Sequence, residues 1–121
     1  MAKLLIVDDD HSVRTFTARA LAAAGHMVEM AEDGVDALEK LRKADGAFDL
    51  VLSDIRMPAM DGIEMARTAV KTFPGLRLLL MTGFADQRER AAEMDGTVLG
   101  VVNKPFTLAE NRDRVGRALA A

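Results

Sequence analysis

Five apolar runs of strand length recur along the chain, each separated from the next by a segment of helical period. This alternation limits the fold more than any other feature. The runs are residues 3–8 (KLLIVD), 27–31 (MVEMA), 49–53 (DLVLS), 77–82 (RLLLMT) and 98–103 (VLGVVN). The first, third and fourth are nearly unbroken Val, Leu, Ile and Met, as in strands covered by helices on both faces. Between the runs, Val13, Phe16, Ala20, Leu21 and Ala24 fall on one face of a first helix, which Gly25 stops. Asp33 can cap a second helix, with Val35, Leu38 and Leu41 inward. A third carries Ile63, Ala66 and Val70 and ends before Pro74. Residues 86–94 form a polar fourth, and "TLAE" at 107–110 has the pattern of a capping box opening a fifth. Repeated βα units with right-handed crossovers build an open parallel sheet. The expected fold is α/β: a doubly wound five-stranded parallel sheet of order 2-1-3-4-5, flavodoxin-like, with helices on both faces.

The 121 residues fit one domain with a single core. Residues 1–121 are therefore expected to be one domain, with no output domain after the closing "RALAA". A net charge of -3, with scattered Lys and Arg, leaves no basic footprint for nucleic acid, and none is expected as a partner. The absence of Cys excludes disulfides, thiol catalysis and Cys-ligated zinc or iron–sulfur sites. "MAKLLIVDDD" is too short in its apolar part for a signal peptide and ends in acid. No apolar run approaches membrane-spanning length. A soluble, cytoplasmic protein with no membrane contact is expected.

In a parallel sheet all strand C-termini share one edge, where ligands bind. Asp8, Asp9 and Asp10 follow the first run, Asp54 the third, Thr82 and Gly83 the fourth, and Lys104 and Pro105 the fifth. Three neighbouring carboxylates repel: at an effective dielectric of ~20, a pair at ~4 Å costs about 4 kcal/mol. Such a cluster binds protons or a cation. Mg2+ suits it, because that ion takes oxygen ligands and needs only one or two carboxylates beside phosphate oxygens. Lys104 and Thr82 suit an oxyanion of more than one charge. With no base to activate water, the set resembles an acyl-phosphate site in which Asp54 attacks phosphorus. Pro58 cannot extend a strand and Asp61-Gly62 turns the chain, so a loop holds Asp54 at the rim.

"VDDD", "SDIRMPAMDG", "MTGFA" and "VNKPF" occur in the order and spacing of the receiver domain of two-component response regulators, which the chain resembles along its whole length. The resemblance implies that Asp54 is the phosphoacceptor. Asp8, Asp9 and the backbone carbonyl of Arg56 would hold Mg2+ together with Asp54. Thr82 would be the switch hydroxyl, and Lys104, before Pro105, the phosphate-binding lysine. A histidine kinase or histidine phosphotransfer protein would be the donor and a separate protein the target, reached through the fourth helix, fifth strand and fifth helix. "SDIRMPAMDGIEMARTA" with "TGFA" is further similar to stand-alone receivers of the CpdR type, which implies a regulated-proteolysis component as the target.

Two positions depart from the family pattern. Val101 stands where many receivers carry the aromatic ring that swings inward with the Thr, and Asn111 where the fifth helix usually has a large aliphatic. Signalling is then expected through Thr82 and the loop of Gly83 and Phe84. In the family, the residues two beyond the phosphoacceptor and two beyond the switch Thr flank the path of attacking water, so the resemblance, with Arg56 and Phe84 at those positions, implies slow self-dephosphorylation. Asp10 reads as a helix N-cap, His11 and His26 as surface residues, and most of the eight Met residues as core filler, although Met57 and Met60 could face a partner. Two other functions compete. A Mg2+-dependent phosphatase with an Asp nucleophile typically needs a second acid two residues on, where Arg56 stands. A flavodoxin-like cofactor-binding protein needs a Gly-rich phosphate loop where the three Asp lie.

Overall fold

A computed structural model describes residues 2–82, 100–103 and 108–120, with 101–103, 108 and 111 given by backbone alone. The expected helix over 86–94, the Thr107 capping box, Gly83, Phe84, Lys104 and Pro105 lie outside these residues, as do the side chains of Val101 and Asn111. The elements run β1 (Lys3–Val7), α1 (His11–Ala23), β2 (Met27–Ala31), α2 (Gly34–Lys43), β3 (Leu50–Asp54), α3 (Gly62–Thr72), β4 (Leu78–Thr82), β5 (Gly100–Asn103) and a C-terminal helix (Leu108–Ala120). All strand pairs are parallel and the sheet order is β2-β1-β3-β4-β5, the order expected from the sequence.

Period-two alternation splits the apolar runs between two cores. Leu5, Val7, Val51, Leu78 and Leu80 face α2 and α3, meeting Leu38, Leu41, Ile63, Met65 and Ala66. Leu4, Ile6, Leu50, Leu52, Leu79 and Met81 face the other way, onto Leu21 of α1 and Val115 and Ala118 of the C-terminal helix. β3 and β4 are buried throughout, which is why their sequences do not alternate. Each fully buried Leu or Ile here stabilises the fold by ~1.5–3 kcal/mol.

Three core assignments need correction. Phe16 is 49% and Val35 52% exposed, and Ala24 lies on the surface as the C-cap. In α1 the buried face is Thr17, Ala18, Ala20 and Leu21, and Leu21 carries its contact with the core. In α2 the buried face begins at Gly34, where a methyl would come within 2.6 Å of the Met60 carbonyl oxygen. That close approach makes Gly34, Ala37, Leu38 and Leu41 the inner face and turns Val35 outward. Met57 is buried in the core and so presents no surface to a partner, whereas Met60 packs against that core and is half-buried. The stop signals behave as expected: Gly25 has φ +98, and α3 ends at Thr72, before Pro74.

Candidate functional site

Register brings the acids together. Val7 pairs with Ser53, so the residues that follow, Asp8 and Asp54, emerge abreast. Asp54 pairs with Met81, and Thr82 is the next residue of β4. Thr82 in turn pairs with Asn103, the last residue of β5, and Val101 pairs with Leu80. α1 and α3 begin at this same edge. Their caps are Asp10, which accepts from the Val13 N–H at 3.1 Å, and Asp61, which accepts from the Glu64 N–H at 2.8 Å. Asp33 caps α2 through the Asp36 N–H at 2.8 Å. The Asp10 and Asp33 caps agree with the sequence reading.

Carboxylate oxygens of Asp8, Asp9 and Asp54 lie within 4.8 Å of one another. Asp8 is fully buried and Asp54 is 8% exposed, while Asp9 is open to solvent. Solvent at Asp9 weakens its repulsion with the other two, whereas burial leaves Asp8 and Asp54 less screened from each other. The donor set is oxygen alone, with no His or Cys, which fits a hard cation such as Mg2+ and could hold one. Thr82 is 1% exposed beside this cluster, and Arg56 projects its side chain to solvent from the loop after β3.

The backbone around Asp54 is held from several sides. The Ile55 N–H reaches Asp54 Oδ1 at 3.0 Å as well as the Met81 carbonyl at 3.1 Å. Ser53 Oγ donates to the Asp54 carbonyl at 2.9 Å, and the Gly62 N–H donates to the Ile55 carbonyl at 2.7 Å. A methyl on Gly62 would overlap the Asp54 carbonyl, so the first turn of α3 lies directly against the Asp54 peptide. Ala59 completes the loop at φ 65, a left-handed conformation that costs a non-glycine residue energy.

Sequence reasoning missed two residues at this edge. Ser53 had a visible signal: a hydroxyl inside a buried strand needs a partner, and the nearest is the backbone around Asp54. Arg14 had none. Its guanidinium donates to the Asp8 carbonyl at 2.6 Å, a contact that exists only once α1 has folded back onto the end of β1. His11 is exposed and lies 3.1 Å from Arg14 through Nδ1, and His26 Nδ1 accepts from the Ala2 N–H at 3.2 Å.

Comparison with known proteins returns the same family. The model of the response regulator receiver domain matches residues 4–116. The response regulator receiver protein CpdR of Brucella abortus (strain 2308) is 37% identical, over 100% of this chain and 99% of its own. Response regulator MprA of Mycobacterium sp. (strain KMS) is 38% identical over 89% of this chain, which spans only 46% of MprA. Among solved structures, response regulator TrrA of Thermotoga maritima in complex with Mg(2+)-BeF has a TM-score of 0.85 and 29% identity. That match covers 98% of this chain and 99% of TrrA.

Proposed function

The chain belongs to the response regulator receiver domain family of two-component systems, and from that membership we propose that it is a phosphorylation-controlled switch charged on Asp54. The observation that carries this reading is the cluster of Asp8, Asp9 and Asp54 within 4.8 Å at the edge where Thr82 also emerges. The donor is a phosphohistidine of a histidine kinase or histidine phosphotransfer protein. A carboxylate oxygen of Asp54 attacks phosphorus, the P–O bond forms as the P–N bond breaks, and the departing imidazole nitrogen keeps the electron pair. The Ile55 N–H on Oδ1 fixes the rotation of the carboxylate, and the Ser53 and Gly62 contacts fix the peptide behind it. Positioning of this kind is most of what phosphoryl transfer requires from the protein.

Asp8, Asp9 and Asp54, with the Arg56 carbonyl, would hold Mg2+. When bound, that ion neutralises charge on the phosphoryl oxygens. Lys104 is assigned the phosphate-binding cation and the Thr82 hydroxyl the group that reports the phosphoryl oxygen to the rest of the fold. No residue is assigned as a base for water, so the chain is read as a switch whose only turnover is its own slow dephosphorylation. The likeness to the receiver protein CpdR over nearly the full length of both chains supports a receiver that acts on a separate protein, and the resemblance of its motifs to that type makes a regulated-proteolysis component the proposed target. Among the described residues no helix is long and apolar enough to cross a membrane. A cytoplasmic location fits the proposed donor.

The test is incubation with acetyl phosphate, with and without Mg2+, followed by intact mass. Wild type should gain one phosphoryl group in the presence of Mg2+, and Asp54→Asn none. Modification that persists in Asp54→Asn would remove Asp54 as the acceptor.

A further inference from the structure

The corner between β1 and α1 carries two of the three clustered carboxylates. Asp8 is held there at three points. Its N–H donates to the Ala31 carbonyl of β2 at 3.1 Å, its Oδ1 accepts from the Asp10 N–H at 3.0 Å, and its carbonyl accepts from Arg14 at 2.6 Å. That last contact involves the peptide joining Asp8 to Asp9. Asp9 is exposed and has no hydrogen bond or ion pair of its own among the described residues. Its aim is therefore set by the backbone on either side. On one side is the peptide that Arg14 grips. On the other is Asp10, whose carbonyl accepts from the Arg14 N–H at 2.9 Å as the first bond of α1. Arg14 thus touches both flanks of Asp9.

The geometry points to Arg14 as a positioning residue for the cation site: its guanidinium pins the Asp8–Asp9 peptide and so aims both carboxylates. Rotation of that peptide plane would swing the two side chains apart, because they leave the chain on either side of it. A guanidinium–carbonyl bond is charge-assisted and about twice as strong as a neutral one. The second guanidinium nitrogen, 3.1 Å from His11 Nδ1, keeps the fork from turning away. Among the described residues Arg14 bonds to the Asp8 carbonyl and His11 but to no carboxylate oxygen, so it acts through the backbone. The inference rests on the Mg2+-dependent phosphoryl acceptance proposed above and adds a residue to it.

The test uses the full chain and two readouts: calorimetric titration with Mg2+, and the acetyl-phosphate rate as a function of Mg2+. Arg14→Met keeps most of the apolar stem and removes the donors, which separates the hydrogen bond from stem packing. It should weaken Mg2+ binding by about tenfold, ~1.4 kcal/mol. The half-saturating Mg2+ should rise in step while the rate at saturating Mg2+ stays within about twofold of wild type. Arg14→Lys, which keeps a charged donor, should recover at least half of the lost affinity on a logarithmic scale. Should Arg14→Met fail to fold in a thermal melt, Arg14→Gln decides on the same scale. Wild-type Mg2+ affinity in the neutral variants would overturn the inference. So would a lowered plateau rate with an unmoved Mg2+ dependence, which would place Arg14 at the donor contact. A wild type that accepts no phosphoryl group would overturn the underlying reading. A wild type that accepts one, beside unaltered variants, overturns Arg14 alone.

Discussion

Gly62→Ala tests how rigidly the phosphoacceptor loop is built. A methyl at residue 62 would lie 3.0 Å from the Asp54 carbonyl carbon and 3.0 Å from Ile55 Cα, and closer still to the Asp54 carbonyl oxygen. Carbon–oxygen contacts settle at about 3.3–3.6 Å, so α3 must withdraw by roughly 1 Å. The neighbours cannot give way cheaply, because they are backbone in a strand paired on both sides and tied by Ser53 Oγ at 2.9 Å. Overpacking costs ~1–3 kcal/mol, and losing the Gly62 N–H to Ile55 carbonyl bond adds ~0.5–1.5 kcal/mol. Against this stands the reduced freedom of Ala in the unfolded chain, a gain of ~0.4–1 kcal/mol. That gain is too small, and the expected net loss is centred on about 2 kcal/mol, a fall in Tm of roughly 8 °C. The same displacement moves Asp54 relative to Asp8 and should slow acetyl-phosphate labelling by up to ~100-fold. Thermal unfolding followed by circular dichroism and intact-mass kinetics read the two effects. Gly75→Ala is the control, since a methyl there meets nothing within 4 Å. A Gly62→Ala protein with wild-type Tm and labelling rate would refute the close seating of α3 on the Asp54 peptide.

Other perturbations probe different parts of the molecule. Thr17 is fully buried, and its hydroxyl has no hydrogen-bond partner among the described residues. Thr17→Val should therefore stabilise by about 1 kcal/mol in urea unfolding, and a destabilised variant would mean that the hydroxyl is satisfied. Lys104→Arg should fold but couple poorly to phosphorylation, because a planar fork replaces a compact point charge. Unchanged labelling and unchanged target binding would remove Lys104 from the site. Arg56→Ala and Phe84→Ala should each shorten the phosphoryl lifetime by up to about tenfold, which needs only ~1.4 kcal/mol in the barrier. Time-resolved loss of phosphate checks this, and two variants no faster than wild type would remove both residues from the water path.

The strand-forming runs and the acids at their ends were legible because each depends on residues near in sequence. LVLSD can hardly be anything but a strand buried on both faces, and the parallel order then sends Asp8, Asp54 and Thr82 to one edge. The helix caps were legible for the same reason: Asp10 and Asp33 each bond to a backbone N–H three residues on. The rotation of each helix about its own axis was not. An Ala-rich helix such as α1 offers several faces of similar hydrophobicity, and only its docking against β1 and β2 selects the face that carries Thr17, Ala18, Ala20 and Leu21. Phe16 lost its place to Thr17 and Leu21 on that ground, and Val35 lost its own to Gly34 pressed against Met60. Nor could sequence give the contacts that aim the site: Arg14 on the Asp8 carbonyl and Gly62 against the Asp54 carbonyl. Periodicity records which residues avoid water, whereas these contacts depend on where one backbone lies against another to within an ångström, a quantity set only when the helices dock on the sheet.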